Sequence, residues 1–123
     1  MTILNVIPMG KPRMTQKDKW CKREVTTRYW AFCNALILEI NRTKLVPTNA
    51  FKIVFYLPIP ASYSNKKKLQ LDDTLHTKKF DLDNLVKSFC DALYQDDSGV
   101  NYIEMSKRYS LNPRIEVEFL TIK

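Results

Sequence analysis

The sequence predicts an α+β domain in which a small mixed β-sheet carries two to three helices. Three observations lead there: two stretches place apolar residues at helical spacing, four have strand character, and the elements interleave as β, α, β, short α, α, β, β.

In order, Thr2 to Pro8 reads as a short strand, and Gly10-Lys11-Pro12-Arg13-Met14-Thr15 as a loop, because its Gly and Pro break regular structure. From Thr26 to Asn41 the residues Tyr29, Phe32, Cys33, Leu36, Ile37 and Ile40 fall on one helical face, with Arg28, Asn34 and Glu39 between them. Phe51 to Leu57 is an apolar, aromatic run closed by Pro58 and Pro60, which predicts a buried strand. Ser62 to Thr77 is polar and lysine-rich, and reads either as a short helix capped by Ser64 or as a basic arm. Asn84 to Tyr94 repeats the helical spacing through Leu85, Val86, Phe89, Ala92 and Leu93, with Asp83 as the expected N-cap. Val100 to Tyr109 and Arg114 to Ile122 read as strands joined through Asn112-Pro113, the second alternating Ile115, Val117 and Phe119 with Glu116 and Glu118.

A chain of 123 residues suits one domain, residues 1–123, with one core. No apolar run approaches the roughly 18 residues of a membrane span, and Met1 to Gly10 lacks the pattern of a secretory signal, so a cytoplasmic location is expected. Cys21, Cys33 and Cys90 form neither an even disulfide set nor a Cys-x-x-Cys pair. They read as reduced thiols, with Cys33 and Cys90 filling the core, and a zinc site is not expected.

The net charge of +7 suits a polyanionic partner, and its distribution is more informative. Residues 1–30 carry seven Lys/Arg against two acids, and residues 61–80 five Lys against two Asp. Residues 81–97 reverse the sign, with five Asp and one Lys. Carboxylates gathered inside a basic protein fit a metal site acting on phosphates: the cation needs acids, and the substrate needs a positive approach.

Asp81 and Asp83 are two residues apart, so on extended chain entering a helix their carboxylates share a side and can share a hard cation, with a third acid from Asp96-Asp97. Lys87 follows Asp83 by one helical turn, and Asp91 by two. The spacing equally allows a structural reading, in which Asp83 caps the helix, Lys87 pairs with Asp83 or Asp91, and Asp81 is solvated.

The run His76-Thr77-Lys78-Lys79-Phe80-Asp81-Leu82-Asp83-Asn84-Leu85-Val86-Lys87, followed by Asp91-Ala92-Leu93 and Asp96-Asp97-Ser98, closely resembles the RusA family of Holliday junction resolvases of bacteria and prophages. Pro8-Met9-Gly10-Lys11-Pro12-Arg13, Tyr56-Leu57-Pro58, Ser106-Lys107-Arg108-Tyr109 and Asn112-Pro113-Arg114 are similar to family segments in family order. The resemblance implies a RusA-like, homodimeric, magnesium-dependent endodeoxyribonuclease, with manganese as a substitute, that cuts four-way junctions and other branched DNA. It implies metal-binding catalytic carboxylates at Asp81, Asp83 and Asp97, with Asp96 as the alternative to Asp97, and an essential lysine at Lys87. The choice at Asp96-Asp97 stays open because only Tyr94 and Gln95 precede the pair, where the family usually has a longer segment. A further departure is Phe80, where the family often has proline.

The residues expected to meet DNA are Lys11, Arg13, Lys66, Lys67, Lys68, His76, Lys78, Lys79, Lys107 and Arg108. His76 reads as a surface phosphate contact or as structural polarity, since a carboxylate magnesium site needs no imidazole. Trp20, Trp30, Tyr29 and Tyr63 read as core, with Trp20 also a candidate for touching DNA because of its basic surroundings. A dimer would match the two-fold symmetry of a junction cut on two strands, and Ile3 to Ile7 with Ile115 to Ile122 supply apolar strand for an interface or for the core. The competing class is a basic module that grips branched DNA without cutting it. A nucleotide-sugar transferase, which Asp-x-Asp also suggests, lacks room for a donor domain.

Overall fold

The computed structural model describes residues 1–12 and 24–121, so Arg13, Trp20 and Cys21 lie outside the described residues. The chain runs through β1 (Thr2–Leu4), α1 (Glu24–Thr43), β2 (Ala50–Pro58), α2 (Asn65–Leu71), α3 (Leu82–Leu93), β3 (Tyr102–Ser110) and β4 (Arg114–Leu120), with a 3₁₀ turn at Asp97–Gly99. The α+β class holds, with three helices and a four-stranded mixed sheet in the order β1, β4, β2, β3. β2 is parallel to β3 and antiparallel to β4, which is in turn antiparallel to β1.

β2 alternates, as a strand with one covered face must. Phe51, Ile53, Phe55 and Leu57 are buried, and Lys52, Val54 and Tyr56 between them are only partly covered. The buried side joins Leu4, Ile115 and Val117 of the neighbouring strands to Tyr29, Phe32, Cys33, Leu36 and Ile40 of α1 and Leu85, Phe89 and Cys90 of α3. Both helices therefore cover one face. Phe51, opposite Phe119 in the ladder, packs against Phe89 at 5.3 Å and against Phe119 at 5.8 Å between ring centroids. The other face is polar: Arg114 lies 3.8 Å from the centre of the Tyr56 ring and pairs with Glu116 at 2.7 Å, and Lys52 faces Glu104 at 3.7 Å. No helix among the described residues is long and apolar enough to cross a membrane.

Several boundaries differ from the expected ones for local reasons. β1 stops at Leu4 rather than Pro8, because the Val6 N–H folds back on the Leu4 carbonyl at 2.8 Å and Pro8 has no N–H for a ladder. α1 runs past Asn41, its last turn held by the Arg42–Glu39 ion pair at 2.7 Å and by the Thr43 hydroxyl donating to the Glu39 carbonyl at 2.8 Å. β3 begins at Tyr102, since the Val100 N–H closes the 3₁₀ turn on the Asp97 carbonyl at 3.0 Å. Ser64 does cap α2, accepting from the Lys67 N–H at 3.2 Å, which resolves that stretch as a helix. Cys33 and Cys90 are buried free thiols and Tyr29 is core, whereas Trp30 faces solvent.

Phe89 is fully buried where α3 meets the sheet. Phe89→Ala is expected to cost about 3–5 kcal/mol, measured by urea unfolding, through lost transfer energy and the cavity left behind. A loss below about 1 kcal/mol would mean that α3 does not depend on this contact.

Candidate active site

α3 starts earlier than expected, and this changes the roles of its first acids. Asp81, with extended backbone (φ −66°, ψ 136°), is the N-cap residue, but its side chain makes no capping hydrogen bond. Asp83, expected as the cap, lies in the first helical turn, where its Oδ1 accepts from the Asn84 N–H at 2.9 Å and its charge suits the helix dipole. Only Asp81 is therefore on extended chain, and the period-two argument does not hold across the pair. Both carboxylates are exposed.

Lys87 is exposed one turn further on. Among the described residues it pairs with neither Asp83 nor Asp91, because Asp91 is taken by Lys11 at 2.8 Å. The helix-surface ion pair that would explain Lys87 structurally is not formed. Asp96 and Asp97 divide their work: Asp96 accepts from the Ser98 N–H at 3.0 Å as the cap of the 3₁₀ turn, and those hydrogen bonds hold its carboxyl below the usual range. Asp97 makes no such bond and is exposed. The Cys90 thiol is pushed up to about 11, chiefly by burial and further by the charges of Asp97 and Asp91, against which Lys87 acts.

A loop from the N-terminal segment is strapped along the same helix. Ser88 donates to the Met9 carbonyl at 2.5 Å, Asn84 Nδ2 to the Lys11 carbonyl at 3.3 Å, and the Lys11 ammonium meets Asp91. The approach is close at Gly10, where a Cβ would stand 2.6 Å from Asn84 Nδ2. Lys11, expected at DNA phosphate, is thus committed to an internal ion pair.

The basic residues expected at phosphate fall into two groups. Lys66, Lys67, Lys78 and Lys79 are exposed and Lys68 is partly so, with Lys67 lying 3.9 Å from the centre of the Tyr63 ring. His76 is buried, and Lys107 and Arg108, partly exposed, are instead engaged by backbone carbonyls. Arg108 donates to the Asp73 carbonyl at 2.6 Å, and Lys107 to the carbonyls of Lys78 at 2.7 Å and Phe80 at 2.5 Å. His76 is 9% exposed, its ring 4.2 Å from that of Tyr109 and its Nδ1 accepting from the Lys78 N–H at 3.3 Å. Of its two expected readings, structural polarity is the one that matches this placement. These contacts, and those of Asn84 and Ser88, join residues too far apart in sequence for any local pattern to reveal.

The donor set suits a hard divalent cation: Asp81, Asp83 and Asp97 offer exposed oxygens that, among the described residues, no cationic side chain neutralises. No group of three or more His, Cys, Asp or Glu among those residues is gathered closely enough to hold a metal. Magnesium itself needs only one or two carboxylates, with water and phosphate in the remaining positions.

The chain belongs to the RusA endodeoxyribonuclease family, whose description, Endodeoxyribonuclease RusA, matches residues 4–119. It is 38% identical to "Uncharacterized protein YqaN" of Bacillus subtilis (strain 168), over 90% of this chain and 87% of that protein. No solved structure matches it. The family carries endodeoxyribonuclease activity of the Holliday junction resolvase type.

His76 makes the stability of this region pH-dependent. Burial first, and then the Lys107 ammonium, lower its proton affinity below the ordinary value of 6.5, so the unfolded chain binds this proton more readily than the folded one. The contribution is complete above the ordinary value and is lost as pH falls through it toward the lower folded one. The thermal midpoint should therefore fall between pH 7 and pH 5, at about neutral to mildly acidic values, and His76→Asn should flatten part of that fall. An identical pH dependence in the variant would assign it to carboxylates.

Proposed function

We propose that this protein is a magnesium-dependent endonuclease that hydrolyses phosphodiesters in four-way junctions and related branched DNA, in recombination and repair. The observation that carries the reading is a set of exposed carboxylates, Asp81, Asp83 and Asp97, that have no cationic partner among the described residues, in a RusA-family chain of net charge +7. Asp81 and Asp83 at the start of α3 supply the one or two carboxylates that the cation needs, and Asp97, which among the described residues is not gathered with them, is the candidate third acid, since Asp96 is engaged in its cap. When bound, magnesium or manganese supplies Lewis-acid activation of the phosphodiester and of the attacking water. Lys87, free of an intrahelical partner, sets its ammonium against negative charge developing on the phosphate. Lys66, Lys67, Lys68, Lys78 and Lys79 offer the approach surface for the DNA backbone.

The working species in this reading is a homodimer, since one site makes one incision and a junction needs two related by its symmetry. Leu4, Ile115 and Val117 are spent in the core, whereas Ile3 and Ile7 remain exposed and are available to an interface. The dimer is checked by sedimentation velocity, where a monomer that mainly nicks a plasmid-borne junction once would refute it.

Purified protein is expected to cut a synthetic four-way junction with magnesium and to stop with chelator. Asp83→Asn should retain junction binding while losing at least about 100-fold in rate, as removal of a group that stabilises the transition state does. A wild type that binds the junction tightly and leaves it intact across magnesium and manganese would establish the non-cutting module instead.

A further inference from the structure

We propose that Lys107 is a positioning residue for Asp81: its ammonium fastens the backbone just before α3 to the sheet, and so fixes where that carboxylate stands. The inference rests on the reading of Asp81 as part of a nuclease site, and it removes Lys107 from the DNA-contacting set.

Lys107 lies in β3 opposite Phe55, whose strand is hydrogen-bonded on both sides, so its backbone is fixed against an interior strand of the sheet. In a parallel pair, residues in register point to the same side, and Phe55 points into the core beneath the helices. The side chain therefore rises on the side where α3 begins. It ends on the carbonyls of Lys78 and Phe80, at 2.7 and 2.5 Å. The second of these carbonyls belongs to the peptide group that joins Phe80 to Asp81.

Few other ties hold that stretch. His76 is anchored through its N–H to the Lys107 carbonyl at 3.0 Å, and the Lys78 N–H reaches the His76 ring. From Lys79 to Asp81, the hydrogen bonds that link the backbone to the sheet come, among the described residues, from Lys107 alone. Asp81 is joined to α3 through its carbonyl, which accepts from the Leu85 N–H at 3.1 Å, but its side chain makes no capping bond and takes its position from the backbone on either side. A charged donor shared by two carbonyls gives a strong, directional link, and an ammonium has only one further N–H to offer. That geometry suits a clamp better than a phosphate contact.

The two roles leave different signatures. Loss of a phosphate contact weakens binding and reduces the salt slope by about 1. Loss of a residue that orients a metal-binding carboxylate costs about 10–100-fold in metal affinity or activity.

The test compares wild type, Lys107→Met, Lys107→Arg and the triple variant Lys66→Ala/Lys67→Ala/Lys68→Ala. It measures turnover at saturating four-way junction, junction affinity against salt, and Mn²⁺ binding to the free protein by electron paramagnetic resonance. Lys107→Met should lose about 10–100-fold in turnover and bind Mn²⁺ more weakly, with affinity and salt slope unchanged. Lys107→Arg, which keeps donors for the carbonyls, should recover part of both, and the triple variant should flatten the slope, showing that the assay reports phosphate contacts. Thermal unfolding screens the variants, and where Lys107→Met does not fold, Lys107→Gln carries the same comparison. Weaker junction binding and a reduced slope at unchanged turnover would overturn the assignment in favour of a phosphate contact, as would an active wild type with an equally active Lys107→Met. A wild type that neither cuts the junction nor binds Mn²⁺ would instead overturn the nuclease reading, and this assignment with it.

Discussion

The docking of α3 on the sheet, through Leu85 and Phe89 against Phe51 and its neighbours, is the constraint on which the rest of the molecule depends. Once those side chains are buried, the rotation of the helix is fixed, and every other position on it is assigned a direction. Asp83 and Lys87 are left in solvent. Asn84, Ser88 and Asp91 meet the incoming loop of residues 9–11. Burial of apolar surface, which carries no chemical specificity, thereby orients the polar groups that do.

Charge is organised on a larger scale by the same elements. The acids around α3 stand in a protein with an excess of cations, yet several of those cations are spent internally: Lys11 on Asp91, Arg108 on Asp73, Arg114 on Glu116. Among the described residues, Lys66 and Lys67 of α2, the pair Lys78-Lys79 and Lys87 are exposed in the stretch of chain that carries the carboxylates.

Much of this was legible beforehand because it is local. Helical spacing located α1 and α3, alternation located β4, and Ser64 marked one of two readings for the stretch that forms α2. The Asp81 and Asp83 motif was visible as a pattern of charge. What failed was what the pattern could not contain. The start of α3 moved to Leu82, so Asp81 and Asp83 have different backbone conformations, and β1 ended at a turn that its apolar run did not signal. Lys107 and Arg108 looked like surface cations because composition carries no information on direction, and their partners lie on other elements. Asp96 and Asp97, equivalent by sequence, separate only through the turn that one of them caps.

The parallel pairing of β2 with β3 has a wider consequence. Two parallel neighbours need a long excursion between them, and here that excursion carries α2, the lysines, α3 and all the candidate carboxylates. It leaves at the Pro58 end of β2 and enters β3 at Tyr102, opposite Ala50, so its two ends are held a strand's length apart at opposite ends of the same pair. Changes in the length or charge of its loops can then accumulate so long as Leu85 and Phe89 still dock on the sheet. The sheet acts as a fixed mount and the excursion as an exchangeable tool, which gives such a chain room to diversify in what it grips while its framework stays the same.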